Sequence, residues 1–493
     1  MTLNARLTRV IRGVRRWRGP AADAPIPIDR DLPDSDWRHI AAAIDATVEN
    51  RGGPVAARRR AKTVGLTYDS LSNAGRLRFF QGLATEYDHD DRLVDEAIDA
   101  VIGAEDPQER RRAEADLRAR LQPQREVLFK RLASLDGGLP FLISMRADLL
   151  PHRSSSVELG ALDRDLRGLL EGWFDVGLLR LERLTWDTPA SFLEKLIEYE
   201  AVHAIESWDD LKHRLGPGRR CYAFVHPGMP DDPLILVEVA LTKNIARRLT
   251  PLLARGRAAD RIDDAGAVVS EAGIDGDRDH PGEDDEDEVD EQEFDTAIFY
   301  SISNCHDGLA GVSLGDFLIK SVVEELSAEL PKLKTFATLS PLPGFRSWLS
   351  DRIEDEQPLV VAGEEGAAGG SAAELERELV DLIGGPLRPP TDPALDRLKP
   401  ILMRLAAGYL LEARRGDRAA DPVAHFHLSN GARVEHLNWM GNPSLVGWER
   451  GLGMMVNYRY DLKTIERNHD TYTSVGEVAV SDEIRTLAAG PKS

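Results

Sequence analysis

The spacing of apolar residues changes near residue 187, and this change limits the folds that the chain can adopt. From about 34 to 186, apolar residues recur every three or four positions, as in DDRLVDEAIDAVIG and LDRDLRGLLEGWFDVGLLRLERL, which is typical of amphipathic helices. After 187, short β-rich runs alternate with helical patterns and indicate a mixed α/β arrangement. The sequence therefore predicts an α+β multidomain protein: a basic, poorly ordered segment at 1–33, a helical bundle at 34–186 and an α/β domain at 187–493.

Individual elements of the second half can also be assigned. CYAFVHPGMPDDPLILVEVAL (221–241) has two β-rich runs around a turn of Pro, Gly and Asp, the pattern of a hairpin. TAIFYSIS (296–303) predicts a buried strand, and LGDFLIKSVVEELSAEL (314–330) predicts an amphipathic helix. Further strands are expected at TFATLS, VAHFHLSN, ARVEHLNW and GLGMMVNYRYD, with a helix at about 393–415 and a loop of small residues at 362–373.

Composition excludes several classes of function. The net charge of −22 argues against nucleic acid as a partner, because phosphate backbones bind basic surfaces. No run approaches the roughly 18 consecutive apolar residues of a membrane span, so no membrane partner is expected. With only two cysteines, Cys221 and Cys305, neither a disulfide scaffold nor a thiolate zinc site is available. These features favour a cytoplasmic setting.

Charge is distributed unevenly along the chain. Residues 275–293 hold twelve acidic residues and one arginine, which predicts a solvated loop, since like charges at that density repel. Calcium is an alternative ligand, but the stretch lacks the glycine-centred spacing of an EF-hand loop. The first 18 residues contain six arginines and no acid. They resemble an organellar presequence or a membrane-surface helix, and equally a poorly ordered basic terminus.

A glycine-rich loop follows the strand at 296–303. Gly308, Gly311 and Gly315 would let the backbone approach a ligand closely, and the helix behind them could bind phosphate at its N-terminus. The loop matches neither the Walker A nor the dinucleotide-binding pattern, and glycines also serve tight turns.

The same loop contains Gly311-Val312-Ser313-Leu314-Gly315, a formal GxSxG. In an α/β-hydrolase this motif places a nucleophilic serine, here Ser313, on a turn that directly follows a strand. About seven residues separate the predicted strand from Gly311, which disfavours a serine hydrolase acting on thioesters.

Two further features could carry chemistry. Ser340 precedes Pro341, and because proline holds the preceding residue extended, its hydroxyl is fixed in direction. His425 and His427 would share one face of the strand predicted at VAHFHLSN. Such a pair can bind zinc, but no third ligand stands at a suitable spacing, and His427 alone could act as a general acid. Turn chemistry for Ser340 and a structural role for the histidines remain alternatives.

Five separated segments together resemble the malonyl-CoA decarboxylase family. They are TAIFYSIS, GLAGVSLGDFLIKSVVEEL, FATLSPLPGFRSWL, FHLSNGARVEHLNWMGNPSLVGWERGLGMMVNYRY and SVGEVAVSDEIRTLA. The resemblance implies a helical N-terminal domain followed by a GNAT (N-acetyltransferase-type) α/β domain. It also implies conversion of malonyl-CoA to acetyl-CoA and CO2 with no metal, biotin or other cofactor, the CoA thioester being the substrate.

The resemblance further implies roles for particular residues. Ser340 and His427 would be the catalytic pair, and Ser301 and Tyr460 would line the malonyl pocket. The loop that would bind the CoA pyrophosphate comprises Ala310, Gly311, Val312, Ser313, Leu314, Gly315 and Asp316. The position of Ser313 often carries glutamate in this family, and the acidic stretch 275–293 has no counterpart there.

Self-association is expected as well, as a homotetramer built from two dimers through the helical first half. Two other functions fit the same fold class. One is an acyl-CoA acyltransferase, in which an amine replaces the proton as acceptor, and the other is a non-catalytic acyl-CoA sensor.

Overall fold

The first half of the chain is helical, as the apolar spacing predicts. The computed structural model describes residues 24–490, except 201–202, 206, 254–290, 313–317, 365–368, 387 and 389–391. The helices of this half are α1 Asp34–Val48, α2 Gly53–Ser70, α3 Asn73–Glu86, α4 Asp91–Gly103, α5 Pro107–Arg120, α6 Gln124–Ala133, α7 Gly138–Leu149 and α8 Val157–Trp173. Several begin at a side chain that accepts backbone N–H groups, such as Ser72, Asp90 and Ser156. Such N-caps satisfy donors that have no partner within the helix.

The second half is built around a mixed sheet. Its strands are β1 Arg180–Leu184, β2 Arg219–His226, β3 Met229–Thr242, β4 Thr296–Asn304, β5 Thr335–Thr338, β6 Ser340–Pro341, β9 Arg433–Asn438 and β10 Met455–Tyr460; β7 Arg414–Arg415 and β8 Arg418–Ala419 form a separate pair. β1 to β4 pair antiparallel in sequence order, β4 and β5 pair parallel, and β10 lies antiparallel to β5, β6 and β9. The predicted hairpin at 221–241 and the predicted strand at 296–303 are confirmed.

Helices alternate with these strands along the second half. They are α9 Ala190–Tyr199, α10 Trp208–Leu215, α11 Leu249–Leu253, α12 Leu318–Glu329, α13 Phe345–Glu354, α14 Ala372–Gly384, α15 Pro393–Glu412, α16 Pro422–Ser429, α17 Leu445–Gly451, α18 Ile465–Val475 and α19 Asp482–Ala489. The helix predicted at 393–415 is therefore confirmed, as is the described part of the helix predicted at 314–330. Within the described ranges, no helix combines the length and apolar character needed to cross a membrane.

One hydrophobic cluster joins the two halves. It contains Leu142 and Ile143 of α7 together with Phe224 of β2 and Phe299 of β4. Gly308, which follows β4, packs so closely on α7 that a Cβ atom there would lie 1.8 Å from the Ile143 carbonyl oxygen. The helical half therefore packs directly against the segment that follows β4.

The prediction that helix continues to about 184 is wrong. α8 ends at Trp173, and Asp175 accepts the N–H of Gly177 at 2.9 Å in a local turn. β1 then pairs with β2, with Leu181 opposite Phe224. The leucines of this stretch fit a helical spacing as well as an alternating one. The turn at Asp175 ends the helix, and the edge of β2 supplies backbone partners for a strand.

The strand predicted at VAHFHLSN is also wrong, because these residues form α16. Asp421 caps the helix by accepting the N–H groups of Val423 and Ala424 at 3.0 Å each, and Pro422 occupies the first helical position. Aspartate followed by proline is a helix-start signal, and it outweighs the alternation of histidine with apolar residues that is typical of a strand. His425 and His427 consequently do not share a strand face.

The acidic stretch 275–293 lies outside the described residues up to 290. Its last residues form a short 3-10 helix, Glu291–Glu293. Glu291 binds Arg220, whose side chain is 4% exposed, at 2.6 Å and accepts the N–H of Gly218 at 3.0 Å. The prediction of a solvated loop is therefore wrong for Glu291, because a buried arginine needs a carboxylate partner.

Candidate active site

Ser340 lies where two strands of the sheet separate. β4 and β5 pair in parallel from Thr296 opposite Thr335 to Phe299 opposite Thr338, and the Leu339 N–H still donates to Phe299 O at 2.9 Å. Beyond this point the chain turns to β10, where Ser340 pairs with Val456. The extended backbone predicted from the following proline is confirmed, and Ser340 is buried, with 7% of the residue exposed.

The Ser340 hydroxyl contacts the imidazole of His427. Ser340 Oγ lies 2.9 Å from His427 Nε2, although the two residues are 87 positions apart. His427 is in the second turn of α16 and is 2% exposed. Its ring stacks on Tyr458, with centroids 4.5 Å apart and an interplanar angle of 27°. The two side chains are thus fixed by different elements and meet in a buried position.

Three hydroxyl groups complete a chain of hydrogen bonds. Ser340 donates to Thr338 Oγ1 at 2.9 Å, and Thr338 Oγ1 also accepts the N–H of Tyr458 at 3.2 Å. Tyr460 Oη lies 2.8 Å from His427 Nδ1. This pattern assigns the ring proton to Nε2, which donates to Ser340, and leaves Nδ1 to accept from Tyr460.

Burial controls the ionisation of this chain. Removal from water lowers the pKa of His427 to about 3, because a low-dielectric environment disfavours the charged ring. The same effect raises the pKa of Tyr460 well above its usual value. The imidazole is therefore neutral and the phenol is protonated at neutral pH, so a proton can be passed between uncharged groups.

The glycine-rich loop is held by an arginine of the helical half. Arg146 of α7 donates from Nη1 to the carbonyl oxygens of Gly308 at 2.7 Å and Ala310 at 2.9 Å, and from Nε to Asp163 at 2.8 Å. Ala310 and Gly311 are exposed, and Val312 is buried.

The remaining predicted loop residues cannot be placed. Ser313, Leu314, Gly315 and Asp316 lie outside the described residues. A 3-10 turn at Asp307–Leu309 separates β4 from Gly311, so the strand does not run directly into the GxSxG segment as a nucleophile elbow requires.

Ser301 is not brought to the Ser340–His427 pair. Its hydroxyl donates to Glu200, which follows α9, at 2.8 Å. A register shift in β4 opposite Glu238 and Val239 makes Tyr300 the extra residue of a β-bulge. Phe299 contacts Tyr460, with centroids 6.3 Å apart, whereas the bulge turns Ser301 toward α9. A bulge re-aims side chains in this way, and no motif in the sequence announces it.

His425 has a different partner from His427. Its Nδ1 lies 2.9 Å from Tyr472 Oη. In the part of the chain that the structure describes, no group of three His, Cys, Asp or Glu residues is arranged to hold a metal ion. Cys221 and Cys305 are buried free thiols.

Sequence reasoning missed two residues at the site, Thr338 and Tyr458. Alternation along β10 could have found Tyr458, because it shares a strand face with Tyr460. Thr338 stands two residues before Ser340 in a predicted strand and gave no chemical signal of its own.

Comparison with known proteins finds the same family in both halves of the chain. Residues 87–174 match the malonyl-CoA decarboxylase N-terminal domain, and residues 177–272 and 280–493 match the malonyl-CoA decarboxylase C-terminal domain. The mitochondrial malonyl-CoA decarboxylase of Anser anser anser is 32% identical over 98% of this chain and 94% of its own length, and that of Rattus norvegicus is 36% identical over 76% and 73%.

Two solved structures share the fold. The malonyl-CoA decarboxylase of Rhodopseudomonas palustris superposes with a TM-score of 0.76 at 36% identity, covering 91% of this chain and 98% of that one. The malonyl-CoA decarboxylase of Agrobacterium vitis gives 0.75 at 37% identity, covering 91% and 99%. A helical half joined to a curled α/β half, with these matches, defines an enzyme of the carboxy-lyase class. The chain belongs to the malonyl-CoA decarboxylase family.

Proposed function

We propose that the chain converts malonyl-CoA to acetyl-CoA and CO2, with Ser340 and His427 as the catalytic pair. The observation that carries this proposal is the 2.9 Å contact between Ser340 Oγ and His427 Nε2 in a buried position between two strands and a helix. The family membership of the chain supports the substrate, because the matched relatives are named for malonyl-CoA decarboxylation.

We assign the α/β half to the GNAT fold. The support is the separation of β4 from β5 just before Ser340, together with the bulge in β4. A gap between parallel strands offers unpaired backbone groups and a narrow passage, where a pantetheine arm and a thioester can lie. In this arrangement the acyl group reaches Ser340 from the side of the glycine-rich loop.

Decarboxylation breaks the bond between the carboxylate carbon and the α-carbon of the malonyl group. CO2 leaves, and the electron pair passes to the α-carbon and the thioester oxygen as an enolate. The Ser340 oxygen is fixed in place, and its O–H, which donates to Thr338 Oγ1, needs only to rotate to hydrogen-bond the developing negative charge, so little reorganisation opposes this stabilisation. The α-carbon then takes a proton to give acetyl-CoA. Because the thioester itself accepts the electrons, the chemistry requires no added cofactor.

His427 supplies the proton in this scheme. The neutral ring already carries a proton on Nε2, and it passes this proton to Ser340 Oγ as the serine hydroxyl gives its own proton to the α-carbon after CO2 has left, as a general acid does. Nδ1 takes a proton from Tyr460 in the same step, and a proton from solvent restores the phenol. Tyr460, 2.8 Å from Nδ1, holds the orientation of the ring.

We propose that the loop Ala310–Asp316 holds the CoA pyrophosphate. Support comes from the exposed backbone at Ala310 and Gly311 and from Arg146, which fixes the preceding carbonyl groups. In this reading Ser313 contacts the ligand and is not a nucleophile. A malonyl-pocket role for Ser301 would require contact with substrate from the α9 side of the sheet.

A direct assay tests the proposal. Malonyl-CoA is supplied with no amine, and the products are separated. Acetyl-CoA and CO2 support decarboxylation, whereas malonate and free CoA would show that the hydrolase alternative is right. Binding without turnover would favour the sensor, and turnover only after addition of an amine would favour the acyltransferase.

Removing the acidic stretch tests its role. Deletion of residues 275–290 is expected to leave kcat and KM within about twofold, because a solvated, self-repelling segment buries little apolar surface. The deletion stops before Glu291, which binds the buried Arg220. Steady-state kinetics check the result. A loss of more than about tenfold in a folded protein would contradict it.

We also propose a homotetramer built from two dimers, in a cytoplasmic setting. The helical half carries exposed apolar residues that self-association could cover, such as Val55, Ile98 and Ile102, and closed symmetry is the usual form of such assemblies. Light scattering at micromolar concentration is expected to give the mass of four chains, and a stable monomer would contradict the assembly.

A further inference from the structure

We infer that Asp421 is a positioning residue, which sets the distance between Ser340 and His427 by binding the backbone segments that carry them. Among the residues that the structure describes, its carboxylate makes no hydrogen bond to either side chain of the pair. It binds instead to backbone groups on both sides of the site. The inference rests on the proposed role of the pair, and its tests therefore include one that does not depend on turnover.

One oxygen of the carboxylate fixes the helix of His427. Oδ1 accepts the N–H groups of Val423 and Ala424, each at 3.0 Å. These are the first donors of α16, which have no partner within the helix. Since α16 is only Pro422–Ser429, its first turn determines where the second turn and His427 lie.

The other oxygen fixes the segment of Ser340. Oδ2 accepts the N–H of Gly344 at 3.0 Å and lies 3.4 Å from the hydroxyl of Tyr409 on α15. Gly344 is four residues after Ser340, and two of the three residues between them are prolines. Prolines restrict the backbone, so fixing the position of Gly344 also limits the positions that Ser340 can take.

The environment makes this connection strong. Asp421 is 2% exposed, and burial raises the pKa of its carboxyl group although three backbone N–H bonds oppose the shift. Hydrogen bonds to a buried carboxylate are short-range and directional, and they are costly to leave unmade. One side chain therefore joins α16, the start of α13 and α15 at a single point.

Gly344 shows how closely these elements approach. A Cβ atom at this position would lie 2.2 Å from Tyr409 Oη, and its next contact would be Asp421 Oδ2 at 3.3 Å. The φ of Gly344 is −90°, which any residue can adopt. The glycine is therefore required for space and not for backbone conformation.

The first test compares Asp421→Asn with a cap elsewhere in the chain. Asparagine keeps the size and can still cap α16, but its amide cannot accept the N–H of Gly344 with the other end. We expect kcat to fall by about 100-fold, the effect of roughly 1 Å of misplacement, while KM for malonyl-CoA changes less than about threefold.

The matched control is Asp90→Ala. Asp90 caps α4 through the N–H groups of Arg92 and Leu93 at 3.0 and 3.3 Å, far from the pair in sequence and on the exposed surface. Both kinetic constants should remain within about twofold. A kcat within twofold of the parent in Asp421→Asn, or a fall in kcat that follows loss of folded protein as measured by thermal unfolding, would overturn the inference.

The second test measures the arrangement of residues 340 and 427 without relying on enzyme turnover. In Ser340→Cys, the thiol pKa is obtained from the pH dependence of its alkylation, and it reports how the thiol is held beside the imidazole. Adding Asp421→Asn should shift this pKa by about half a unit or more, whereas adding Asp90→Ala should not. If Ser340→Ala proved fully active, the proposed function would fail, and the thiol measurement alone would decide the role of Asp421.

The third test is a rescue. Gly344→Ala should lower kcat by about tenfold or more because of the contact with Tyr409 Oη. Tyr409→Phe removes that oxygen together with its 3.4 Å contact to Asp421, and it leaves Asp421 Oδ2 at 3.3 Å and the ring carbon Cζ at 3.4 Å as the nearest atoms. The double variant should therefore regain most of the lost kcat, and a double variant no better than Gly344→Ala would contradict the geometry.

Discussion

Ser340→Ala and His427→Asn are each expected to lower kcat by about two to four orders of magnitude, the range for an oxyanion contact or a positioned proton donor. KM for malonyl-CoA should change far less, because most of the substrate's binding surface is its CoA portion. The two side chains form one hydrogen-bonded unit at 2.9 Å. The double variant should therefore be little worse than the worse single one, since losses within such a unit do not add.

Matched controls lie close by. Ser303→Ala removes a buried hydroxyl that donates to Glu200, and His425→Asn changes the other histidine of α16, which binds Tyr472. Both should keep kcat within about threefold. Additive losses in Ser340→Ala/His427→Asn would mean that the residues act independently. Near-normal turnover in either single variant would remove that residue from the mechanism.

Arg146→Met is expected to lower the free energy of unfolding by about 3–5 kcal/mol, the usual result of breaking a buried ion pair. The Arg146 side chain is 1% exposed, and its guanidinium binds Asp163 together with two carbonyl groups of the glycine-rich loop. Methionine fills the volume but leaves these acceptors unpaired. Because the loop is the proposed pyrophosphate site, KM for malonyl-CoA should also rise, by about tenfold. Denaturant unfolding and steady-state kinetics measure the two effects.

Arg125→Met is the control that distinguishes a loss of stability from an effect on substrate binding through the glycine-rich loop. Arg125 is equally buried and binds Asp88, Asp165 and the carbonyl oxygen of Ala84, which all belong to the described residues of the helical half. The Arg125→Met variant should lose a similar free energy of unfolding, while its KM for malonyl-CoA stays unchanged. If Arg146→Met raised KM no more than Arg125→Met does, the arginine would not be acting through the loop.

The sequence predicted the parts of this molecule that depend on short-range patterns. The extended backbone of Ser340 followed from the next proline, and the hairpin and most helices followed from apolar spacing and caps. VAHFHLSN was misassigned because its alternation of histidine with apolar residues conflicts with a helix-start signal, Asp421-Pro422, which stands immediately before it.

The residues that meet over long separations could not be derived in this way. The Ser340–His427 contact spans 87 positions, and the contact from Arg146 to Gly308 spans 162. No local pattern encodes such a contact, because it depends on how complete elements pack. His427 was predicted as a site residue through family resemblance, even though its local structure was predicted wrongly. Ser301, placed by the same resemblance, was turned away from the pair by a one-residue bulge.

The close packing of α7 on Gly308 couples the conformation of the helical half energetically to that of the α/β half. Any ligand that favours one arrangement of the loop also favours the arrangement of α7 that fits it, and the coupling acts equally in both directions. If the glycine-rich loop is the pyrophosphate site proposed above, ligand binding there should therefore slow amide hydrogen exchange in α7, outside the α/β half. Conversely, a molecule that binds the helical half would change the affinity of the loop for its ligand without contacting the reacting atoms.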